Sequence, residues 1–419
     1  MKVLFINGVY GHGSTGTIVK DIELLCEQNG IECYVASPDI AVRSAKRGYV
    51  IGNIFDHKLH ALLCRVNGKQ AYFSYFATRK LIEHIEHILP DIVHLHTLHG
   101  NYINMPMLLT ALASNNIRTI VTMHDCWYYT GGCFHYSDIQ CYKWQKYCND
   151  CPKKKNDTPA YFLDKSRQIL ADRKRLFDAI PNLTITGVSR WICEESKKGI
   201  FYDKYVIPIH NGVDFSIFKP TNLLSLETKI DIESLSDSSF TILGLAGKWL
   251  DPINRDAFLY ILGKLQPSEH FILFGYNERI ESQMQFLNIT KEQRDKIITI
   301  EYTKNRKQLA ALYSIADVFI NCTREDSFSL INVEAQACGT PIVTYSSTGA
   351  QETVDNKCSF GVKTGDYKEM WEKIALIQNK GKRHYSDDCI LWVKENFDMH
   401  NNYQKYLSLY TSLCENRSI

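Results

Sequence analysis

Residues 317–345, DVFINCTREDSFSLINVEAQACGTPIVTY, carry a strand, a turn, a helix and a second strand in one run. DVFINCT (317–323) is an apolar run of strand length, and the polar turn REDSF ends it. SLINVEAQACG (329–339) reads as a helix stopped by glycine, and TPIVTY (340–345) returns to strand. The alternation extends outward on both sides. FTILGLAG (240–247), HFILFGY (270–276) and KIITIEY (296–302) read as strands, and RKQLAALYSIA (306–316) as a helix. Towards the N-terminus, KVLFING (2–8), IECYVASP (31–38) and DIVHLHT (91–97) are strands set among helical patterns such as TIVKDIELLCEQNG (17–30). LLTALASNNIRTIVTMHD (108–125) repeats helix then strand, and NLTITGVSRWICEES (182–196) and KYVIPIHNGVDFSIFKP (204–220) continue the series. Such spacing predicts parallel sheets in a doubly wound α/β architecture.

A chain of 419 residues exceeds one ordinary core, which predicts two domains. The polar, Ser-rich stretch 221–239 is where one would pass into the other. The expected division is a Rossmann-like domain over 1–220, a second over 240–390, and a helical C-terminal segment over 391–419. In that last segment Tyr403, Tyr406, Leu407 and Tyr410 form a stripe that predicts packing back on the first domain. Two such domains facing a cleft would hold ligands at the carboxyl ends of their strands.

Apolar content of 45% and charged content of 22% are those of a soluble globular chain, and a formal charge of +2 excludes a strong nucleic-acid field. MKVLFINGVYGHGSTG reads as a buried strand running into a glycine turn, not as a signal peptide. Fourteen cysteines without an export signal predict a reducing, cytoplasmic setting, in which ten scattered ones are small core residues.

Two places carry chemistry. Gly11, Gly13 and Gly16, with Thr17, join the first strand to the first helix, where backbone N–H groups suit a phosphate; structural glycine turns look the same. In the second half, Glu325 and Asp326 lie on a strand-to-helix turn and Glu334 on the helix. Asp326 and Glu334, eight residues apart, are expected near one helical face, although a solvated or capping acid pair would share that pattern.

REDSFSLINVEAQACGTPIV, IHNGVDFSIFKP, GVSRW and TMHD together resemble the GT-B glycosyltransferases of family 4, bacterial envelope-polysaccharide enzymes in particular. The likeness runs from the glycine loop through the last helix. It implies two Rossmann-like domains, a nucleotide-sugar donor held mainly by the C-terminal one, anomeric retention, and no cofactor required for catalysis. It places Asp326 as the first acid of an E-x7-E pattern, against the transferred sugar's hydroxyls, with Glu325 beside it. Glu334 becomes the second acid, against the ribose, and Ser327, Phe328, Ser329 and Leu330 belong to the same donor-binding turn. Gly13, Gly16 and Thr17 resemble the loop near the donor diphosphate, and His124 the histidine beside the reacting carbon. His124, Asp326 and Glu325 are therefore the expected catalytic residues.

The chain departs from that family at its diphosphate clamp. Lys248 stands at the usual Arg position, but Ile253 stands where a Lys is expected, with Arg255 as a candidate substitute. Loss of that charge removes stabilisation of the leaving group where it counts most.

CFHYSDIQCYKWQKYCNDCP (133–152) belongs to an excursion over 126–157 and holds Cys133, Cys141, Cys148 and Cys151. Its single C-x2-C knuckle suits a structural zinc; packed thiols among Trp127, Tyr128, Tyr142 and Trp144 are the alternative. Lys143, Lys146, Lys153, Lys154 and Lys155 beside Trp144 and Tyr147 form a candidate contact with an anionic membrane, against an ordinary solvated loop. The expected function is sugar transfer from a nucleotide-sugar donor to a glycan or lipid-linked oligosaccharide acceptor, at the inner face of the cytoplasmic membrane. The rival is a catalytically silent nucleotide-sugar-binding subunit, which the missing Lys favours. A nucleotide-sugar epimerase fits the fold but not the motifs.

Overall fold

The structure, a computed structural model, describes residues 1–221, 239–301, 303 and 305–415. Almost all of the stretch read as an interdomain passage thus lies outside the described residues. The chain forms two compact units, one of Met1–Asn211 with the chain from Asn402 onward, the other of Gly212–Asn401.

The first unit is built on a sheet of β1 (Lys2–Ile6), β2 (Glu32–Ser37), β3 (Gly48–Val50), β4 (Ile92–Leu95), β5 (Arg118–Met123), β6 (Leu183–Gly187) and β7 (Val206–Pro208). Its order is β3-β2-β1-β4-β5-β6-β7, with every described pairing parallel. Val3, Leu4, Phe5 and Ile6 are wholly buried, as a central parallel strand covered on both faces requires. The second unit repeats the plan with β8 (Phe240–Leu245), β9 (Glu269–Tyr276), β10 (Ile297–Glu301), β11 (Val318–Asn321), β12 (Ile342–Tyr345) and β13 (Phe360–Val362). Its order is β10-β9-β8-β11-β12-β13, again parallel. Each sheet reverses its winding once, between β1 and β4 and between β8 and β11, and such a switch point is where this architecture leaves a crevice.

The C-terminal segment is two helices rather than one, Arg383–Phe397 and Met399–Glu415. Asp398 is extended, and around it Val213 N donates to Phe397 O at 2.8 Å while Met399 N donates to Val213 O at 3.0 Å. Those bonds replace the helical ladder at the break. They also account for the glycine of the NGVD stretch: a Cβ on Gly212 would lie 2.3 Å from Met399 Cα. From Asn402 the last helix belongs to the first unit, where Tyr403, Tyr406, Leu407 and Tyr410 are buried.

Candidate active site

At the second sheet's switch point two loops meet. After β8 the chain makes a short helix, Ala246–Trp249, which carries Lys248 exposed, and Trp249 Nε1 donates to Ile320 O on β11 at 3.2 Å. Asn254, a residue the sequence reading passed over, ties the loops together. Its Nδ2 donates to Lys248 O at 3.0 Å and to Cys322 O at 3.2 Å. Arg255 does not turn back towards Lys248; it donates to Phe286 O at 3.1 Å. A different arginine stands at the substituted clamp position. Arg324 Nη2 donates to Ile253 O at 3.3 Å, while its buried Nε has no hydrogen-bond partner among the described residues. Burial drives the Cys322 thiol upward, and Lys248 and Arg324 both pull it back, so both cations lie within electrostatic reach of that one sulfur.

The carboxylate turn after β11 is held from inside. Asn321 Nδ2 donates to Ser329 Oγ and to Asn332 Oδ1, both at 2.9 Å, and its Oδ1 accepts from Thr323 N at 3.0 Å. Ser329 takes a left-handed φ of 63°, and the helix starts only at Leu330. This corrects the expected geometry: Asp326 sits on the loop, so it and Glu334 do not share a helical face. Asp326 is half-buried; its N–H donates to Thr348 Oγ1 at 2.9 Å, and its carboxylate accepts from Phe328 N at 3.2 Å. Glu325 is half-buried beside it, and Phe328 packs on Phe397 with ring centroids 5.3 Å apart. Ser327 Oγ, Ser347 Oγ and Tyr345 Oη, on the loops and strand next to it, are buried without a partner among the described residues. Buried polar atoms left open in this number call for a partner from outside the chain, an ordered water or a ligand.

Glu334 lies mid-helix, 7% exposed, with the Tyr313 hydroxyl 3.4 Å from Oε2. Burial pushes its carboxyl up to about 7, against the opposing pull of Arg306 and Tyr313. It is thus poised to gain from donors that would stabilise the charged form.

In the first unit Gly13, Gly16 and Thr17 fall inside the first helix, Gly13–Gln28, four residues earlier than its expected start. Gly11 N donates to Gly16 O at 2.9 Å, and a Cβ on Gly16 would crowd Gly11 N at 3.2 Å. His124 follows β5 and its Nε2 is 2.9 Å from His96 Nδ1. Burial lowers His124 to about 4, so it is neutral at pH 7, with only one of each ring pair able to donate in the His96–His124 contact.

The cysteine run is a packed layer. Trp144 is buried against Tyr129 and Tyr136 at 4.9 Å, Arg173 lies 3.7 Å over Trp127, and Cys151 N donates to Asp164 at 2.7 Å. Burial raises Cys133 and Cys148 to about 12, which disfavours thiolates. Among the described residues no three His, Cys, Asp or Glu side chains form a group that could hold a metal as they stand, and the packing around Cys133, Cys141, Cys148 and Cys151 supports the packed-thiol alternative. Folded protein is expected to carry well under one zinc per chain by elemental analysis; stoichiometric zinc would restore the ligand-set reading. The basic patch also changes character: Trp144 is internal and Lys153 pairs with Asp138 at 2.8 Å. Among the described residues no helix is long and apolar enough to cross a membrane.

Residues 254–387, which include the carboxylate turn, match the family of glycosyl transferases group 1. The chain is 21% identical over 293 residues to WcaC of Escherichia coli strain K12, named for colanic acid biosynthesis glycosyl transfer; that alignment covers 68% of this chain and 67% of WcaC. It is 25% identical over 161 residues to the N,N'-diacetylbacillosaminyl-diphospho-undecaprenol alpha-1,3-N-acetylgalactosaminyltransferase of Campylobacter jejuni, covering 36% of this chain and 39% of that one. The match thus spans about two thirds of the first relative and well under half of the second. Among solved structures, Anabaena HepE in complex with UDP-glucose superposes with a TM-score of 0.65 at 15% identity, over 98% of this chain and 100% of that one. The chain therefore has the two Rossmann-like domains of the GT-B fold, and residues 254–387 of its second half are similar to glycosyl transferases group 1.

Proposed function

We propose that the chain transfers a sugar from a nucleotide-sugar donor to a growing, lipid-linked envelope glycan, with retention at the anomeric carbon. The observation that carries this reading is the second sheet's switch point, where a half-buried carboxylate turn with unsatisfied polar atoms follows Cys322, near which two cations lie, and leads into the helix of Glu334, a buried carboxyl raised to about 7. In this reading Lys248 and Arg324 face the diphosphate and offset the charge that grows on it as the glycosidic bond breaks. Arg324 thus takes over from the Lys that Ile253 displaces, and Arg255 stays structural. Glu334 accepts from the ribose hydroxyls, while Asp326 and Glu325 orient the transferred sugar, with Ser327, Phe328, Ser329 and Leu330 shaping the turn. In the first unit, His124 is neutral at working pH, and Gly13, Gly16 and Thr17 open the first helix. The names of the two relatives support a polysaccharide product, and the Campylobacter enzyme's name supports a lipid-diphosphate acceptor.

A thermal-shift screen of UDP-, GDP- and ADP-sugars tests this first step. A ligand at a hundred times its Kd stabilises by about 2.7 kcal/mol, a shift of several degrees. UDP-sugars are the first arm, because HepE binds UDP-glucose. A donor that binds and is hydrolysed or transferred supports the enzyme. Binding without turnover under any acceptor would instead support the silent-subunit reading, and no shift with any donor overturns both.

A further inference from the structure

One helix of the first unit is turned inside out. Helix Ile54–Asn67 opens with a capping box from Asn53 and Asp56 and ends at Gly68, which is left-handed at φ 79°. At 100° per residue Phe55, Leu59, Leu62, Leu63 and Val66 fall within about a 100° arc. That arc faces solvent: Phe55 is 80% exposed, Leu59 57%, Leu62 55% and Val66 50%. The inward face carries His60 and Cys64, and His60 Nδ1 meets Ser74 Oγ at 2.7 Å. A surface helix ordinarily buries its apolar stripe and wets its polar one; here the sides are exchanged.

Neighbouring segments enlarge the patch. Tyr161 N donates to Arg65 O at 3.0 Å, and a Cβ on Gly68 would lie 2.3 Å from Leu163 O, which sets exposed Tyr161, Phe162 and Leu163 at the helix's C-terminal end. Tyr75 and Phe76 are exposed next to Ser74, the partner of His60. Large apolar side chains exposed together along one helix face mark a contact with another phase or molecule.

We propose that this face seats on an anionic phospholipid bilayer. Lys58 and Arg65, both exposed, lie together along one edge of the arc, and Arg79 and Lys80 are exposed on the helix that begins with Tyr75 and Phe76. Asp56 in the capping box and Glu83, paired with Arg79, offset part of that charge, and the excess of Lys and Arg leaves the edge net cationic. A ridge of Phe, Leu and Val bordered by Lys and Arg matches the boundary between acyl chains and anionic headgroups. A second copy would bring the same cationic edge against itself. The inference does not depend on the proposed reaction, since adhesion can be read without donor or acceptor.

Sedimentation with vesicles of equal parts phosphatidylglycerol and phosphatidylcholine tests it, with pure phosphatidylcholine as the neutral comparison. Wild-type protein is expected to pellet with the anionic vesicles at low salt. Phe55→Ser/Leu59→Ser/Leu62→Ser and, separately, Lys58→Glu/Arg65→Glu should each weaken binding about tenfold or more. Lys153→Ser/Lys154→Ser/Lys155→Ser should leave it intact. The substituted side chains are exposed, so melting temperature and any donor-induced shift should persist, which separates failure here from failure of the transferase reading. The proposal is overturned if wild-type protein stays in the supernatant, or if both variants bind as tightly as wild type. It is equally overturned if the triple substitution breaks a wild-type dimer in sedimentation equilibrium while no vesicle binding exists.

Discussion

Glu334→Gln is expected to act in opposite directions on binding and on stability. Donor affinity should fall at least tenfold, because a charge-assisted hydrogen bond to a hydroxyl contributes about 1.5–3 kcal/mol. Stability of the ligand-free protein should rise at pH 8. In the folded chain this carboxyl is raised to about 7, above its usual value of 4.5. Between those values the native state binds more protons than the unfolded one, so stability drops as pH climbs from 4.5 to 7 and stays low above it. A shift of that size corresponds to about 3 kcal/mol at pH 8, of which the neutral amide should recover a part, and to much less near pH 5. Hydroxyls donating to Glu334 would favour its charged form, so donor binding near pH 7 should also release protons. Calorimetry in buffers of different ionisation enthalpy reads that release, and thermal unfolding at the two pH values reads the rest. An unchanged dissociation constant sinks the ribose assignment; equal destabilisation at both pH values would make Glu334 a packing residue.

Where the sequence was most legible was in apolar strands flanked by glycine. β1, β8, β11 and β12 are buried on both faces, so each reads as a short continuous run, and the two-unit α/β architecture follows from their alternation with helices. The edge strands β3 and β13 have three residues each, too few for any period to register. Helix Ile54–Asn67 escaped notice for the opposite reason. Its pattern is strong, but nothing in a pattern says which way the stripe points. At the carboxylate turn the residue types were readable and their geometry was not, since one left-handed serine at 329 delays the helix and moves Asp326 off it. Arg324 and Asn254 had no legible signal at all. Their roles come from carbonyls at Ile253, Lys248 and Cys322, which are remote in sequence from one or other partner. The spacing of the cysteine run says nothing of the aromatic packing and the Arg173 contact that hold its loop, since those partners come from outside the motif.

Ending the chain at Asn401 is expected to unfold the first unit. The helix removed buries Tyr403, Tyr406, Leu407 and Tyr410, each at 4% exposure or less. At about 1.5–3 kcal/mol per large apolar side chain they contribute roughly 6–12 kcal/mol, comparable to the whole stability of an ordinary domain. Polar losses add to this. Tyr410 Oη lies 2.7 Å from His94 Nδ1, and Tyr406 Oη 3.2 Å from Thr122 Oγ1, so truncation takes a partner from two buried groups at the middle of the sheet. Burial holds His94 well below its ordinary range, so the intact chain loses stability as pH falls below the usual histidine value, and water reaching the site in the truncated chain would flatten that dependence. Tyr410→Phe separates the two contributions: it keeps the ring against Phe5 and deletes only the hydroxyl, at about 1–2 kcal/mol. The expected order of melting temperatures is wild type, then Tyr410→Phe, then the truncated chain, with the last insoluble or lacking a cooperative transition. A truncated chain that melts with wild type would mean the tyrosine stripe merely rests on β4 and β5 without holding them.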